Sequence, residues 1–217
     1  MLLKTKNLMK AFGGLKAINK VDFELPAGEI RGIIGPNGSG KSTFFNLVSG
    51  VYDPDPGSYI EFDGHDITNE PPHKIGALGL SRTFQLLRLY QDMSVINNVM
   101  SGYHTRVKYK FFDAVIGRKK IWDQEKEIKD EMMELLSFVG LADYAELNAS
   151  ELSGGQRRLL VLARAIAMKP KLLMLDEPAA GLSPVNVDNL MKIIMQLKDK
   201  YGLTLIIIEH ILKVVMD

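Results

Sequence analysis

The spacing of hydrophobic residues separates a central segment of the chain from the parts on either side of it. In residues 21–25 apolar and acidic side chains alternate, which predicts a strand with one buried face. Residues 171–175 and 203–208 are almost continuously apolar and predict strands of a parallel sheet covered on both faces. In residues 121–139 the apolar side chains recur every three or four positions instead, which predicts a helix that ends at Gly140.

These patterns predict one α/β core that is interrupted by an inserted α-helical subdomain. The core would comprise residues 1–85 and 152–217, and the insertion residues 86–151, because the strand-like alternation stops and later returns at these points. The elements expected in the core are strands 2–12, 21–25, 29–34, 58–62, 80–84, 171–175 and 203–208, and helices 42–48, 156–168 and 184–201.

Composition narrows the range of functions without identifying one. The 217 residues carry a formal net charge of +1, which gives no support for a nucleic-acid surface. There is no cysteine, so disulfide bonds and cysteine zinc sites are excluded. The longest apolar runs, such as residues 205–208, are too short to cross a bilayer, and we expect any membrane role to come through a partner.

Residues 35–43 have the spacing of a phosphate-binding loop. The loop follows the predicted strand 29–34 and opens the helix 42–48, whose N-terminus carries partial positive charge. Glycines let successive N–H groups turn inward as a nest for phosphate oxygens. Lys41 adds a charge for the outer phosphates, and the Ser42 hydroxyl can ligate Mg²⁺. The predicted nucleotide-binding residues of the loop are Gly35, Pro36, Asn37, Gly38, Ser39, Gly40, Lys41, Ser42 and Thr43.

Two carboxylates, Asp176 and Glu177, follow the buried strand 171–175. The carboxyl ends of parallel strands share one edge of a sheet, so we expect both residues to face the same crevice as the phosphate-binding loop. Asp176 is placed to hold Mg²⁺, directly or through water, and Glu177 to orient and deprotonate an attacking water. A polar turn before Pro178 would explain the pair equally well if the phosphate-binding loop were absent.

A second candidate anion site is the stretch Leu152, Ser153, Gly154, Gly155 and Gln156. The serine, the N–H groups of two glycines and the start of a predicted helix can together bind an anion. With two anion sites and one phosphate-binding loop, the chain could bind one nucleotide at both sites or pair with a second copy.

The same five residues resemble the signature of the ATP-binding subunits of ABC transporters. The resemblance covers nearly the whole chain and implies an α/β P-loop NTPase (RecA-like) core with N-terminal antiparallel β strands and an inserted helical subdomain. It implies ATP and Mg²⁺ as cofactors and a second ATP-binding subunit, identical or not, as a head-to-tail partner. Residues 152–156 of one subunit would then act in trans on ATP held by the other, as an arginine finger does elsewhere.

The remaining family positions add further site residues. Phe12 falls where the family stacks an aromatic ring on adenine, although it equally fits an ordinary core aromatic. Gln85 matches the glutamine that senses Mg²⁺ and water, and His210 the histidine that contacts the γ-phosphate. Ser183 replaces the Asp of many relatives, so no catalytic role across the dimer is assigned to it. The resemblance therefore implies catalytic roles for Glu177, His210 and Gln85, and metal binding by Ser42, Gln85 and Asp176.

Within the family, the chain resembles the ATPases of branched-chain amino acid importers in residues 82–85, 93–99 and 179–182. The long stretch between Tyr103 and Trp122 resembles the larger of that system's two ATPase subunits. This implies transmembrane permease subunits as partners, an indirect link to a periplasmic or extracellular substrate-binding protein, and a location at the cytoplasmic face of the cell membrane. Close relatives serve importers of other amino acids or small amides and exporters of lipid or lipopolysaccharide.

Two other classes of function are less consistent with the sequence. The basic and aromatic residues of segment 103–120 could bind single-stranded nucleic acid, but a solvated helical surface over packed aromatic rings is the better explanation. Soluble ABC-type ATPases acting on nucleic acid or ribosomes carry long coiled coils, cysteine zinc modules or a second cassette, and this sequence shows none of these features. We expect no nucleic-acid partner. A nucleotide kinase would need a lid and an acceptor site and would leave Ser153 unexplained.

The C-terminal end of the predicted core differs from that of related proteins. Relatives of this family continue with further strands beyond the position of Asp217. We therefore expect the C-terminal end of the core to be incomplete and strand 29–34 to have an exposed edge.

Overall fold

The structure is a computed structural model that describes most of the chain. The described residues are 1–83, 89–103 and 118–209, and within them residues 118–124 are described by their backbone alone. Gln85 and His210 lie outside the described residues, so the roles implied for them remain predictions. In the described part of the chain, no helix has both the length and the apolar character needed to span a bilayer.

The chain divides into two compact units. The first joins Met1–Gln85 to Pro170–Asp217, and the second is Leu86–Lys169. The sequence placed the second boundary earlier, after Glu151. The helix Gly154–Ala167 falls in the second unit because it packs against the helices Val95–Tyr103 and Arg118–Phe138, which belong to that unit.

The first unit contains two four-stranded sheets within its described residues. Its strands are β1 (Leu3–Phe12), β2 (Leu15–Leu25), β3 (Ile30–Ile34), β4 (Tyr59–Phe62), β5 (His65–Asp66), β6 (Leu80–Arg82), β7 (Leu172–Asp176) and β8 (Thr204–Glu209). Its helices are α1 (Lys41–Val48), α2 (Pro72–Ala77) and α6 (Pro184–Tyr201).

One sheet of this unit is antiparallel and the other is parallel. The antiparallel sheet has the order β2-β1-β4-β5, with Leu3 of β1 opposite Leu25 on one side and Phe62 on the other. The parallel sheet has the order β3-β8-β7-β6. Its register brings the carboxyl ends of β3, β7 and β8 to one edge, because Ile34 pairs with Glu209, and Asp176 with the preceding Ile208. Asp176 lies at this edge, and the phosphate-binding loop and Glu177 follow directly from it.

A single hydrophobic cluster joins both sheets to α1. Every residue of β7 and β8 is buried, as expected for strands covered on both faces. Helix α1 contributes Phe44, Phe45, Leu47 and Val48 to the same cluster. Full burial of each such side chain stabilises the fold by about 1.5–3 kcal/mol. The helix that follows the phosphate-binding loop is therefore anchored firmly in the core.

The second unit contains the helices α3 (Val95–Tyr103), α4 (Arg118–Phe138) and α5 (Gly154–Ala167). Helix α4 is the helix predicted from hydrophobic spacing, and Gly140 follows its end with a φ of 73°. Helices α3 and α5 approach closely at Gly102, where a Cβ atom would lie 2.3 Å from the carbonyl oxygen of Arg164. Glycine is required there because any side chain would separate the two helices.

Candidate active site

The phosphate-binding loop lies between β3 and α1. Gly38 and Gly40 have φ values of 81° and 90°, which favour glycine. A Cβ atom at Gly40 would also lie 2.5 Å from the carbonyl oxygen of Ala17. The N–H of Ser39 donates to the carbonyl of Pro36 at 3.2 Å and closes a turn within the loop. The loop therefore has the tight backbone that its sequence predicts.

The N-terminus of α1 has donors available for an anion. No side chain caps the helix, whose N-cap is Gly40. The first N–H groups and the positive end of the helix dipole therefore face the loop. Lys41, only 8% exposed, donates from Nζ to the carbonyl oxygens of Gly35 at 2.7 Å and Pro36 at 2.9 Å. An ammonium group has three donors, so one remains for a phosphate oxygen while the loop holds the side chain.

Arg82, at the end of β6, joins α1 to the end of β7. Its Nη2 donates to Oδ2 of Asp176 at 2.9 Å, and its Nη1 donates to Oδ1 of Asn46 at 2.6 Å and to Oγ of Ser49 at 3.2 Å. The Arg82 and Asp176 side chains are only 7% and 6% exposed. Sequence reasoning assigned Arg82 no contact of its own, because its partners lie 33 to 94 positions away along the chain.

Ser42 and Asp176 fit a magnesium site. Ser42 and Asn46 are four residues apart on α1 and share one face of the helix. Asn46 and Asp176 share the Arg82 guanidinium, so this face of α1 is turned toward the carboxylate. Ser42 is exposed at the start of the helix, where a ligand can reach it. Hydroxyl and carboxylate oxygens are the donors that Mg²⁺ takes together with water and phosphate oxygens.

Glu177 leaves β7 in an unusual backbone conformation. Its φ is 50°, in the left-handed region that non-glycine residues rarely adopt. Its N–H donates to the carbonyl of Ile208 at 3.0 Å, and its own carbonyl accepts from the N–H of Ala180 at 3.2 Å. The residue is partly exposed, whereas Asp176 before it is buried. The turn thus directs consecutive carboxylates into environments of different solvent access.

Two exposed aromatic rings lie near the end of β1. Phe12 is 44% exposed, so it is not the buried core aromatic that was the alternative for this position. Its ring meets that of Tyr52 edge to face, with centroids 5.5 Å apart, and Tyr52 is itself 39% exposed. Sequence reasoning overlooked Tyr52. Exposed ring faces of this kind are suited to stacking on a nucleotide base.

The signature residues form the start of α5 in the second unit. Ser153 is the N-cap, and its Oγ accepts the N–H of Gln156 at 3.3 Å. The Oε1 atom of Gln156 accepts the N–H of Ser153 at 2.9 Å, which completes a capping box. Leu152 is buried and anchors the motif, whereas Ser153 and Gly154 are exposed. An anion can therefore reach the serine and glycine positions.

Ser183 is the N-cap of α6, as its sequence predicts, and Pro184 is the first residue of that helix. Its side chain makes no capping hydrogen bond to the helix.

Comparison with known proteins identifies the family of this chain. Residues 18–180 match the family model described as "ABC transporter". The "probable branched-chain amino acid transport ATP-binding protein LivG" of Archaeoglobus fulgidus is 43% identical over 219 residues, covering 99% of this chain and 82% of that protein. The "high-affinity branched-chain amino acid transport ATP-binding protein LivG" of Escherichia coli (strain K12) is 39% identical, with coverages of 99% and 84%.

A solved structure shows the same architecture. The ADP conformation of MJ1267, an ATP-binding cassette of an ABC transporter, superposes with a TM-score of 0.83 at 35% identity, covering 99% of this chain and 83% of that chain. The fold class predicted from the sequence is thereby confirmed. The chain belongs to the ABC transporter family, as one of its ATPase cassettes.

Proposed function

We propose that this chain is the ATP-binding subunit of an importer for branched-chain amino acids, in which ATP hydrolysis powers a membrane permease. The observation that carries the proposal is the placement of the phosphate-binding loop, Asp176 and Glu177 at one edge of a parallel sheet. Its support is the 39–43% identity to LivG proteins over 99% of the chain. The chemistry can be followed through the residues that hold each part of the nucleotide.

The triphosphate binds to residues 35–43 and the open N-terminus of α1. Backbone N–H groups of the loop and of the first helical turn bind the phosphate oxygens. Lys41 supplies a positive charge that the loop already holds in place through Gly35 and Pro36. Phe12 offers its exposed ring to the adenine. Binding through backbone groups and one lysine positions the phosphates before any chemistry begins.

Ser42 and Asp176 would hold Mg²⁺, with Gln85 as the third protein group that the family resemblance adds. When bound, the ion neutralises charge on the β- and γ-phosphate oxygens. Arg82 donates a hydrogen bond to one carboxylate oxygen of Asp176, Oδ2, at 2.9 Å. The carboxylate is thereby fixed in one orientation before the nucleotide arrives.

Glu177 acts as the general base for the attacking water. It is partly exposed and directly follows the buried Asp176, so its carboxylate reaches solvent at the phosphate edge of the sheet. A base must lie within hydrogen-bond reach of the water whose proton it accepts. Gln85 and His210 complete the catalytic set that the resemblance implies, contacting the water and the γ-phosphate respectively.

A second ATP-binding subunit completes the site in trans through residues 152–156. In the capping box the Oγ of Ser153 accepts a hydrogen bond from Gln156, which leaves the hydroxyl proton to be donated outward. Gly154, which is exposed, and Gly155, which is partly buried, add N–H donors at the positive end of α5. These groups suit the γ-phosphate of ATP bound to a neighbouring subunit. Closure of the head-to-tail dimer and its reopening after hydrolysis would drive the permease at the cytoplasmic face of the membrane.

The test is purification of the complex from detergent-solubilised membranes with a tag on this chain. We expect permease subunits to co-purify, and ATP hydrolysis by the reconstituted complex to rise when leucine and its binding protein are added. Glycine in place of leucine is the matched control for substrate class. Recovery of ribosomes or nucleic acid instead of a permease would contradict the proposal, and so would a complex whose hydrolysis responds equally to both amino acids.

A further inference from the structure

A buried carboxylate at the end of β8 has no role in the proposed chemistry. Glu209 is the last residue of that strand and is only 2% exposed. A carboxylate loses hydration on burial, so it persists in a core only when hydrogen bonds or opposite charges compensate it. The hydrogen bonds of Glu209 therefore show which part of the backbone it stabilises.

Glu209 holds the turn that follows β7. Its Oε1 accepts a hydrogen bond from the backbone N–H of Ala179 at 2.8 Å. Ala179 is 1% exposed, and the bond spans 30 positions of the chain. A hydrogen bond from a backbone N–H to a carboxylate in a dry environment is stronger than one between neutral groups. The donor lies two residues after Glu177, the proposed base.

The turn needs such support because its first residue is strained. Glu177 has a φ of 50°, which costs free energy in any residue that carries a Cβ atom. Such a conformation persists when surrounding contacts determine it. Here consecutive residues of β8 supply them: the carbonyl of Ile208 accepts the N–H of Glu177 at 3.0 Å, and the side chain of Glu209 accepts the N–H of Ala179.

We propose that Glu209 is a positioning residue for Glu177: its carboxylate fixes the turn at Ala179 and thereby the left-handed backbone from which the base projects. This inference rests on the proposed role of Glu177 as general base. Glu209 touches neither water nor nucleotide in this account. The register of β8 against β7 places Ile208 and Glu209 beside the turn, so the end of β8 holds the turn at two points.

Two substitutions separate the hydrogen bond from the packing. Glu209→Gln keeps an Oε1 acceptor at the same reach, whereas Glu209→Leu keeps the approximate volume and removes the acceptor. For Glu209→Leu we expect kcat for ATP hydrolysis to fall about 10–100-fold, since misplacement of a catalytic group by 1 Å costs about 100-fold. We expect KM and nucleotide affinity to stay within about 3-fold of wild type, because the phosphate-binding loop is untouched. Glu209→Gln should retain most of kcat.

Hydrogen exchange gives a readout that does not depend on catalysis. In the nucleotide-free protein, the amides of residues 177–183 should exchange slowly in wild type and Glu209→Gln and at least about 10-fold faster in Glu209→Leu, because loss of an amide's acceptor lowers its protection. Equal exchange in all three proteins would overturn the proposal. If Glu209→Leu does not fold, Glu209→Asp makes the same test, since its shorter side chain withdraws the acceptor from Ala179.

A double-mutant cycle identifies the route of the effect. If Glu209 acts through Glu177, adding Glu209→Leu to Glu177→Asp, which keeps a shorter base and a measurable rate, should lower hydrolysis by much less than Glu209→Leu does alone. A multiplied loss would show that Glu209 acts through another residue and would contradict the assignment. Failure of the proposed function would look different: Glu177→Gln alone would then keep the wild-type rate, while the exchange of residues 177–183 would still report whether Glu209 holds the turn.

Discussion

Helices α1 and α5 both begin at a predicted phosphate site, but their N-termini are satisfied in different ways. Helix α1 starts after Gly40 with no side-chain cap, so its first N–H groups are available to a ligand. Helix α5 starts after Ser153, which forms a closed capping box with Gln156. Nucleotide binding would therefore satisfy free N–H groups at the start of α1. The start of α5 is already stabilised by its capping box without any ligand.

The two helices also differ in what holds them from the side. Next to α1, the buried Arg82–Asp176 pair reaches the helix through Asn46. In the other unit, α5 is held by close backbone packing at Gly102 of α3. The first site is therefore supported by a buried ion pair that contacts the helix. Apolar packing and a self-satisfied cap make the second site a rigid surface that can be presented to a partner.

The largest expected effect comes from breaking the ion pair beside α1. Arg82→Met should lower the free energy of unfolding by about 3–5 kcal/mol, because it leaves the buried Asp176 carboxylate without its partner. Urea unfolding without nucleotide measures the loss. Arg31→Met, which removes an exposed ion pair with Glu29, is the control and should change stability by no more than about 1 kcal/mol. Equal effects of the two substitutions would contradict the structural role of Arg82.

The second prediction separates the two phosphate sites by function. Ser153→Arg should lower ATP hydrolysis about 100-fold or more, as loss of a charge-stabilising donor does at other active sites. It should leave the affinity of the isolated subunit for a fluorescent ATP analogue within about 2-fold of wild type, because the loop that binds nucleotide belongs to the other unit.

Its counterpart at the first site is Lys41→Ala, which should weaken the same affinity about 100-fold, because it removes a charge-assisted contact to phosphate. Ser137→Arg, at an exposed position of α4, and Lys192→Ala, at an exposed position of α6, are the matched controls and should change neither quantity. If Ser153→Arg instead abolished nucleotide binding by the isolated subunit, the two sites would not be separable as described.

The smallest effect concerns the capping box alone. Ser153→Ala should lower the free energy of unfolding without nucleotide by about 1 kcal/mol, because α5 loses its N-cap acceptor. Ser153→Thr keeps an acceptor and should lose less. Ser137→Ala, at an exposed position in the last turn of α4, is the control and should be close to neutral, since alanine has the higher helix propensity. An unchanged stability in Ser153→Ala would mean that the capping box does not support the helix.

These contrasts also show which features a sequence can predict. The phosphate-binding loop, the buried strands and α4 are encoded in local spacing, and the structure places all of them where their patterns predict. Strand β2 extends from Leu15, although the sequence predicts a strand only over residues 21–25. Most side chains of its first half are exposed and show no alternation, so the strand is specified there by pairing with β1 across the turn at residues 13–14.

Contacts between distant residues carry no local signal. Arg82 meets Asp176 across 94 positions and Glu209 meets Ala179 across 30. Arg82 and Glu209 each stand at the end of a strand, where a polar residue usually faces solvent. Nothing in the neighbouring sequence therefore indicates that either of them is buried and bonded to a distant residue. The extension of the second compact unit to Lys169 has no local signal for the same reason. The periodicity of α5 shows that it is a helix, but its partners α3 and α4 are known only from the packing.

Glu177 is expected to act as the general base for ATP hydrolysis only within a site that two subunits complete. The most direct test is the oligomeric state of Glu177→Gln with ATP and Mg²⁺, measured by size-exclusion chromatography with light scattering. Asp188→Asn, at an exposed position of α6, is the control. We predict a dimer with ATP and a monomer with ADP, undiminished ATP affinity and no hydrolysis above background. A Glu177→Gln protein that stays monomeric with ATP and still hydrolyses it at the wild-type rate would contradict the account.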